Sequence, residues 1–324
     1  MDTVSLGRSK LQVTPICFGT WQLGGDWGDF DEGAAIDAIR HARTLGINFF
    51  DTAYGYGWGR SEQLLGRALE DELGSARDDV VIATKGGLRM DGDEQRRDSS
   101  PAWLREGLDR SLDALGLEYV DLYQVHWPDP DAPFAESAET LRELVEEGKI
   151  RHVGVSNFDP GQMDDFSRTL PVETLQPVYH LFRREIEEEV LPFCREHDVG
   201  VLAYGPLGHG LLTGAMREDQ AFPEGDWRAG SSVFQGEGFR RNLETVDELS
   251  EVAAERGIDV SQLAIAWVLA NPAVHVAIVG TRNREHIASA VEAAEVKLSD
   301  QDLARIDSIM ETAVQVGGPS FGGV

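Results

Sequence analysis

The chain is poor in lysine. Only Lys10, Lys85, Lys149 and Lys297 stand among 29 basic residues, against 57 Asp and Glu, and the formal net charge is −28. That balance offers no basic footprint for phosphate backbones, so no nucleic-acid partner is expected. Cysteine is nearly absent too. Cys17 and Cys194 are isolated in apolar surroundings, which excludes a disulfide framework or a metal knuckle and suggests a reducing cytoplasm. The eight histidines form no HExxH and meet no carboxylate cluster, so no metal is expected. No apolar run approaches the roughly 18 residues a membrane helix needs. The opening MDTVSLGRSKLQ lacks the layout of a secretory signal.

The missing lysines point to a salt-loaded cell. Carboxylates repel one another, and that repulsion is tolerable where salt screens it. At about 1 M salt the screening length falls to roughly 3 Å. A halophilic source is the sharper reading, and an acidic protein from an arginine-favouring genome is the alternative.

What is present is a long alternation. The 324 residues show no linker and no break in composition, so one domain over 1–324 is expected. A hairpin (Val4–Leu6 and Leu11–Val13, with Gly7 in the turn) precedes eight short apolar segments. These are Pro15–Phe18, Ile47–Phe50, Val80–Thr84, Val120–Val125, Ile150–Val155, Thr174–Val178, Gly200–Tyr204 and Val276–Val279. Helical spacing marks Gly33–Leu45, Ser61–Leu73, Pro101–Leu115, Phe134–Glu147, Ile186–His197, Ser261–Leu269, Arg284–Ala294 and Asp300–Met310. Eight serial βα units predict an α/β fold of the closed (β/α)8 TIM-barrel type. An open doubly wound sheet would carry a GxGxxG loop. None occurs, because Gly55, Gly57 and Gly59 alternate and miss the pattern. The connection after the seventh strand, Thr213–Arg241, is long and holds Phe222, Trp227, Phe234 and Phe239. It reads as a lid over a ligand or as a surface excursion packed on itself.

In a barrel of this kind reactive groups stand at the carboxyl ends of strands. Successive strands end at Asp51, Lys85 and His126, and Tyr56 follows Asp51 in AYGYG. These four make a coherent proton-transfer set. Lys85, held by Asp51, would stabilise a tyrosinate and lower the Tyr56 pKa toward usable acidity. His126 could orient a carbonyl oxygen on which negative charge develops. Each residue alone also has an ordinary explanation: a helix-cap acid, a solvent-reaching lysine, a satisfied core histidine, a loop aromatic.

The segments FFDTAYGYGWGRSEQLLGRAL, VVIATKGG, DLYQVHWPDP, HVGVSNF and YGPLGHGLLTG, in that order, resemble the aldo-keto reductase superfamily over nearly the whole chain. The acidic composition resembles a halophilic archaeal member, and the insertion FPEGDWRAGSSVFQGEGFRRNL the general-stress and inositol-related oxidoreductase branch. The resemblance implies an NAD(P)H-dependent reduction of an aldehyde or ketone, with Tyr56 as proton donor, Asp51 and Lys85 as its tuning pair, and His126 as the orienting group. It implies that Ser156, Asn157 and Gln176 hold the carboxamide, that Tyr204 lies under the nicotinamide, and that Gly205, Pro206, Leu207 and Gly210 run along the diphosphate. Gly205 replaces the more usual serine. Gly19, Thr20 and Trp21 would touch cofactor and substrate, with Trp21 and Trp127 walling the substrate pocket. Gly280, Thr281, Arg282 and His286 would meet the adenosine end, where Arg282 and Arg284 could form a cationic patch. Ser289 and Ala290 stand where an acid–amide pair is common. NADP is expected over NAD, and the partner is a small carbonyl compound. Two other readings stay open: a slow cofactor-sensing subunit of the potassium-channel β kind, and a barrel hydrolase or lyase using Asp51 and His126.

The charge has a testable consequence. Stability and cofactor affinity should both rise as KCl is raised from low millimolar toward about 1 M, measured by thermal melting and nicotinamide fluorescence. A protein most stable and tightest-binding in dilute buffer would remove the salt-adapted reading.

Overall fold

The apolar segments are too short to bury themselves singly and alternate along the chain with amphipathic helices, which favours one shared parallel sheet. In the computed structural model, which describes residues 1–318, that sheet closes. A hairpin, β1 (Val4–Leu6) and β2 (Leu11–Val13), comes first. The barrel strands are β3 (Ile16–Gly19), β4 (Phe49–Asp51), β5 (Val81–Gly86), β8 (Val120–Val125), β9 (Ile150–Ser156), β10 (Thr174–Gln176), β11 (Gly200–Tyr204) and β12 (Val276–Gly280). They follow one another around the barrel in chain order, and β12 returns to β3. Each neighbouring pair is parallel. The remaining strands, β6 (Leu88–Asp91) and β7 (Glu94–Arg97), form a separate antiparallel hairpin. The expected domain end at residue 324 includes 319–324, which lie outside the described residues.

The helices are α1 (Glu32–Thr44), α2 (Arg60–Ala68), α3 (Glu70–Ser75), α4 (Pro101–Leu115), α5 (Phe134–Glu146), α6 (Pro160–Ser167), α7 (Val190–Glu196), α8 (Gly236–Glu255), α9 (Val260–Ala270), α10 (Arg284–Ala293) and α11 (Asp300–Met310). Their ends are written in the sequence. Ser100 caps α4 with Pro101 in its first turn, and Gly116 closes the helix in a left-handed conformation. Reciprocal capping bonds open α6 at Asp159–Gln162 and α9 at Asp259–Gln262.

Two cores result. The large one lies between strands and helices. The smaller one fills the barrel with Cys17, Phe49, Val81, Ala83, Leu122, Leu202, Val276 and Ile278, and is joined from below by Leu6 and Val13 of the hairpin. The hairpin thus plugs the amino-terminal end. Its close seat needs glycine: a side chain at Gly7, which has φ +50°, would place Cβ 2.2 Å from the Gly200 nitrogen.

Several boundaries differ from expectation, for physical reasons. The sixth strand stops at Gln176 because Pro177 has no N–H for the ladder, and Val178 makes only an isolated bridge to Tyr204. The helix expected over Ser61–Leu73 divides at Leu69, whose φ and ψ (−108° and 17°) are not helical. Glu70, Asp71 and Glu72 then start α3, where carboxylates suit the positive end of the helix dipole. Pro192 confines α7 to Val190–Glu196, placing the proline in its first turn. Helix α6, the 20-residue α8 and the β6–β7 hairpin have no counterpart in the sequence reading; α6 and the hairpin are short and polar. The long excursion is partly ordered: 3₁₀ turns cover Trp227–Gly230 and Ser232–Phe234, and α8 already begins at Gly236.

Candidate active site

Parallel register sets the site. Asp51 lies beside Gly19 on β3 and Ala83 on β5, and Lys85 pairs with Gln124 on β8. His126 follows the end of β8, its backbone N–H bonding to the Gly86 carbonyl. All four proton-transfer candidates therefore stand at the carboxyl end of the barrel. Tyr56 arrives from the β4–α2 turn. That turn packs against Gly24, and a Cβ at Gly57 (φ +65°) would sit 2.3 Å from the Gly24 carbonyl oxygen.

Lys85 is the hub. Its side chain is fully buried, and its ammonium has three acceptors: Asp51 Oδ1 at 2.6 Å, the Thr52 carbonyl at 2.9 Å and the Tyr56 hydroxyl at 3.1 Å. An ammonium has three N–H bonds, so this one is saturated. The Tyr56 oxygen accepts from Lys85, so its own hydrogen is free to point elsewhere. Asp51 Oδ2 accepts from Gln176 Nε2 at 2.9 Å, and more distantly from Gln124 Nε2 at 3.5 Å. The Tyr56 and His126 rings meet edge to face at 5.6 Å.

The electrostatics correct one expectation. Lys85 does pull the Tyr56 pKa down, but burial outweighs it, and the phenol lies above its ordinary value. Tyr56 is thus a protonated hydroxyl at neutral pH. Asp51 and Tyr56 hold the Lys85 ammonium above its usual value despite burial. Burial, helped by Lys85, keeps His126 well below the usual imidazole range, so it is neutral.

These groups open into a cavity of about 1000 Å³. Asp51, Tyr56 and His126 line one part. Gly19, Thr20, Trp21, Trp127, Ser156, Asn157, Gln176, Tyr204, Gly205, Pro206, Leu207, Gly210, Gly280, Thr281, Arg282 and His286 line the same space, as do Ser289 and Ala290. Lys85 lies behind the wall. Asn157 is held by the His126 carbonyl and Ser156 Oγ, and accepts from the Tyr204 hydroxyl at 3.0 Å. The turn after β11 has positive φ at Gly205, Gly208, His209 and Gly210. It forms a trough with little side-chain bulk.

The expected cationic patch does not form. Arg284 turns outward to Asp37 at 3.1 Å on α1. Arg282 donates to carbonyls of the loop after β3, most closely Gln22 at 2.6 Å, and lies over the Phe30 ring.

Sequence reasoning missed Gln22, Trp27, His209 and Arg228, all of which line the cavity. Trp27 bridges to Asp226 of the long excursion, and Trp21 stacks on Trp227 at 6.3 Å. The excursion is therefore a roof rather than a surface detour. Arg228 is fixed by Asp226 at 2.6 Å and reaches the His209 carbonyl at 3.1 Å. His209 is kept neutral by burial, with a pKa near 4, and its Nε2 has no partner among the described residues. Gln124 was discoverable, since it shares the inward parity of His126 on one strand.

This arrangement suits a nicotinamide dinucleotide. The trough with little side-chain bulk, the amide and hydroxyl groups of Ser156, Asn157 and Gln176, and the unpartnered Nε2 of His209 fit an elongated, polar, phosphate-bearing group. Among the described residues no group of three or more His, Cys, Asp or Glu could hold a metal ion, and no helix is long and apolar enough to cross a membrane.

Comparison with known proteins agrees with this geometry. The model of the Aldo/keto reductase family matches residues 15–311. Aldo-keto reductase YhdN of Bacillus subtilis (strain 168) is 40% identical over 324 residues, covering 99% of this chain and 97% of that protein. An NADH-specific methylglyoxal reductase of Escherichia coli (strain K12) is 33% identical, covering 96% and 99%. The solved glycerol dehydrogenase AKR11B4 of Gluconobacter oxydans superimposes with a TM-score of 0.88 at 37% identity, over 99% of both chains.

The hub predicts a measurable asymmetry in stability. Lys85→Met should destabilise the protein by about 3–5 kcal/mol, because it leaves a buried carboxylate uncompensated. Adding Asp51→Asn should recover most of that loss. Urea denaturation of the two variants checks both, and an unchanged single variant would contradict a buried ion pair.

Proposed function

The chain belongs to the aldo/keto reductase family, and from that premise we propose that Tyr56 is the group that protonates the carbonyl oxygen during NAD(P)H-dependent reduction. The observation carrying this is the Lys85 contact: the phenol oxygen is an acceptor for an ammonium, while its hydrogen is left for the cavity. When bound, the nicotinamide supplies the hydride. The chain's residues do the rest. His126, neutral, hydrogen-bonds the substrate oxygen and orients it toward Tyr56. As negative charge grows on that oxygen, Tyr56 gives up its hydrogen, and the Lys85 ammonium, held by Asp51, stabilises the tyrosinate left behind. In the reverse direction the tyrosinate accepts the alcohol proton.

Ser156, Asn157 and Gln176 would hold the carboxamide, Tyr204 the ring face, and the 205–210 turn the diphosphate. Trp21 and Trp127 would wall the carbonyl substrate. The adenosine end favours NADP(H) over NAD(H) in this reading: Arg282 is the cation lining that part of the cavity, with His286 close to the Thr281 hydroxyl at 3.5 Å. One similar protein is NADH-specific by name, so this preference is a proposal for this chain alone.

Two results are expected. Tyr56→Phe should retain cofactor binding, read by nicotinamide fluorescence, while the reduction rate falls by about 10²- to 10⁴-fold; retained turnover would refute the assigned acid. The ratio of kcat/KM for NADPH over NADH should exceed one and drop by about tenfold in Arg282→Ala. A wild-type preference for NADH would overturn the cofactor reading.

A further inference from the structure

Tyr56 and Glu62 are six residues apart, on the turn and first helix after β4, yet they face opposite sides of the barrel wall. Glu62 is completely buried. Its Oε1 accepts from the Thr84 hydroxyl at 2.6 Å, and its Oε2 makes no well-formed hydrogen bond although the Ser111 hydroxyl is nearby. No salt bridge reaches it among the described residues. A buried carboxylate so placed is costly when ionised. Thr84 immediately precedes Lys85, and alternation on the strand sends Thr84 outward to Glu62 while Lys85 points inward to Tyr56.

The neighbours of Glu62 are few. Lys85 lies on the other side of β5 and acts on it only through charge, and the Tyr123 phenol, which donates to the Leu104 carbonyl, interacts with it from β8. Helix α4 brings the Ser111 hydroxyl, and its Asp109 acts with Glu62 on the Tyr123 phenol. Helix α1 directs Glu32 to Arg60 and Arg67, and Arg40 to the Ala68 carbonyl. Burial drives the Glu62 pKa up to about 7, with the hydroxyls and Lys85 pulling against it. A carboxyl this deeply buried is poised to hold its proton well above the ordinary carboxylate range.

We propose that Glu62 is a positioning residue for proton transfer: its charge state sets the field at Lys85 and so the readiness of Tyr56 to release or accept a proton. This rests on Tyr56 being the acid. Neutral Glu62 leaves Lys85 free to favour the tyrosinate. Ionised Glu62 adds negative charge behind the ammonium, so that both Lys85 and Tyr56 hold their protons more tightly. Alcohol oxidation, which needs the tyrosinate, is then displaced to higher pH.

The test compares wild type with Glu62→Gln in both reaction directions from about pH 5.5 to about pH 9.5. Wild type should show an inflection near neutrality. Glu62→Gln should lose it, and its oxidation limb should move down by about half a pH unit. Infrared difference spectra of the cofactor-free protein give a readout without turnover: a protonated-carboxyl C=O band should fade through neutrality in wild type and be absent in Glu62→Gln. If Glu62→Gln folds poorly, Thr84→Val removes the hydroxyl that favours ionised Glu62 and should push the inflection upward. Superimposable profiles, an unmoved inflection in Thr84→Val, or no such infrared band would each overturn the proposal. If Tyr56→Phe still loses reduction, the assignment of Tyr56 survives that failure; if Tyr56→Phe keeps its turnover, the underlying reading falls instead.

Discussion

A single ammonium organises this molecule. Lys85 is buried where a cation has no water, and it is tolerable there only because Asp51, the Thr52 carbonyl and the Tyr56 hydroxyl occupy all three of its N–H bonds. Meeting that demand fixes several things together. The register of β4 on β5 must bring Asp51 level with the Lys85 side chain. The turn after β4 must fold back tightly enough to present Tyr56, which is why Gly57 packs against Gly24. Gln176 must reach across from β10 to occupy the second oxygen of Asp51. The same constraint that keeps a buried charge satisfied therefore places the Tyr56 hydroxyl, with its own hydrogen unspent, at the mouth of the barrel.

The barrel was legible because its signal is repeated. Eight apolar segments of similar length, separated by helical spacing, leave little choice of architecture, and β8 and β11 have the expected bounds. The grouping of Asp51, Lys85 and His126 at one barrel mouth was legible because polar residues at the ends of buried strands are rare and chemically specific. What escaped was set by tertiary contact. Leu69 interrupts a helix whose spacing looks continuous. Helix α6 offers only Met163 and Phe166 as buried anchors, too few to show a period. Arg282 and Arg284 are two residues apart and look alike in sequence, yet one is drawn to loop carbonyls and the other to Asp37. The sign of the Tyr56 shift was also out of reach, because sequence names the neighbouring cation but not the depth of burial that opposes it.

The roof shows how a long insertion acquires purpose. Trp227 of the excursion packs on Trp21 and Trp27 from the loop after β3, and Asp226 holds Arg228 over the turn after β11. In a chain with 57 acidic residues, a guanidinium pointed at the cavity is a local reversal of the prevailing field.

The hairpin beneath the barrel has a last implication. Leu6 and Val13 stopper the lower end, beneath the aliphatic and aromatic filling of the barrel. The vessel is open at one end. With Tyr56 taken as the acid, its proton is replenished through the same cavity, past the tryptophans, that substrate and product travel. Traffic in both directions shares a single aperture, so anything that crowds that rim will slow recharging of the acid as well as delivery of the carbonyl.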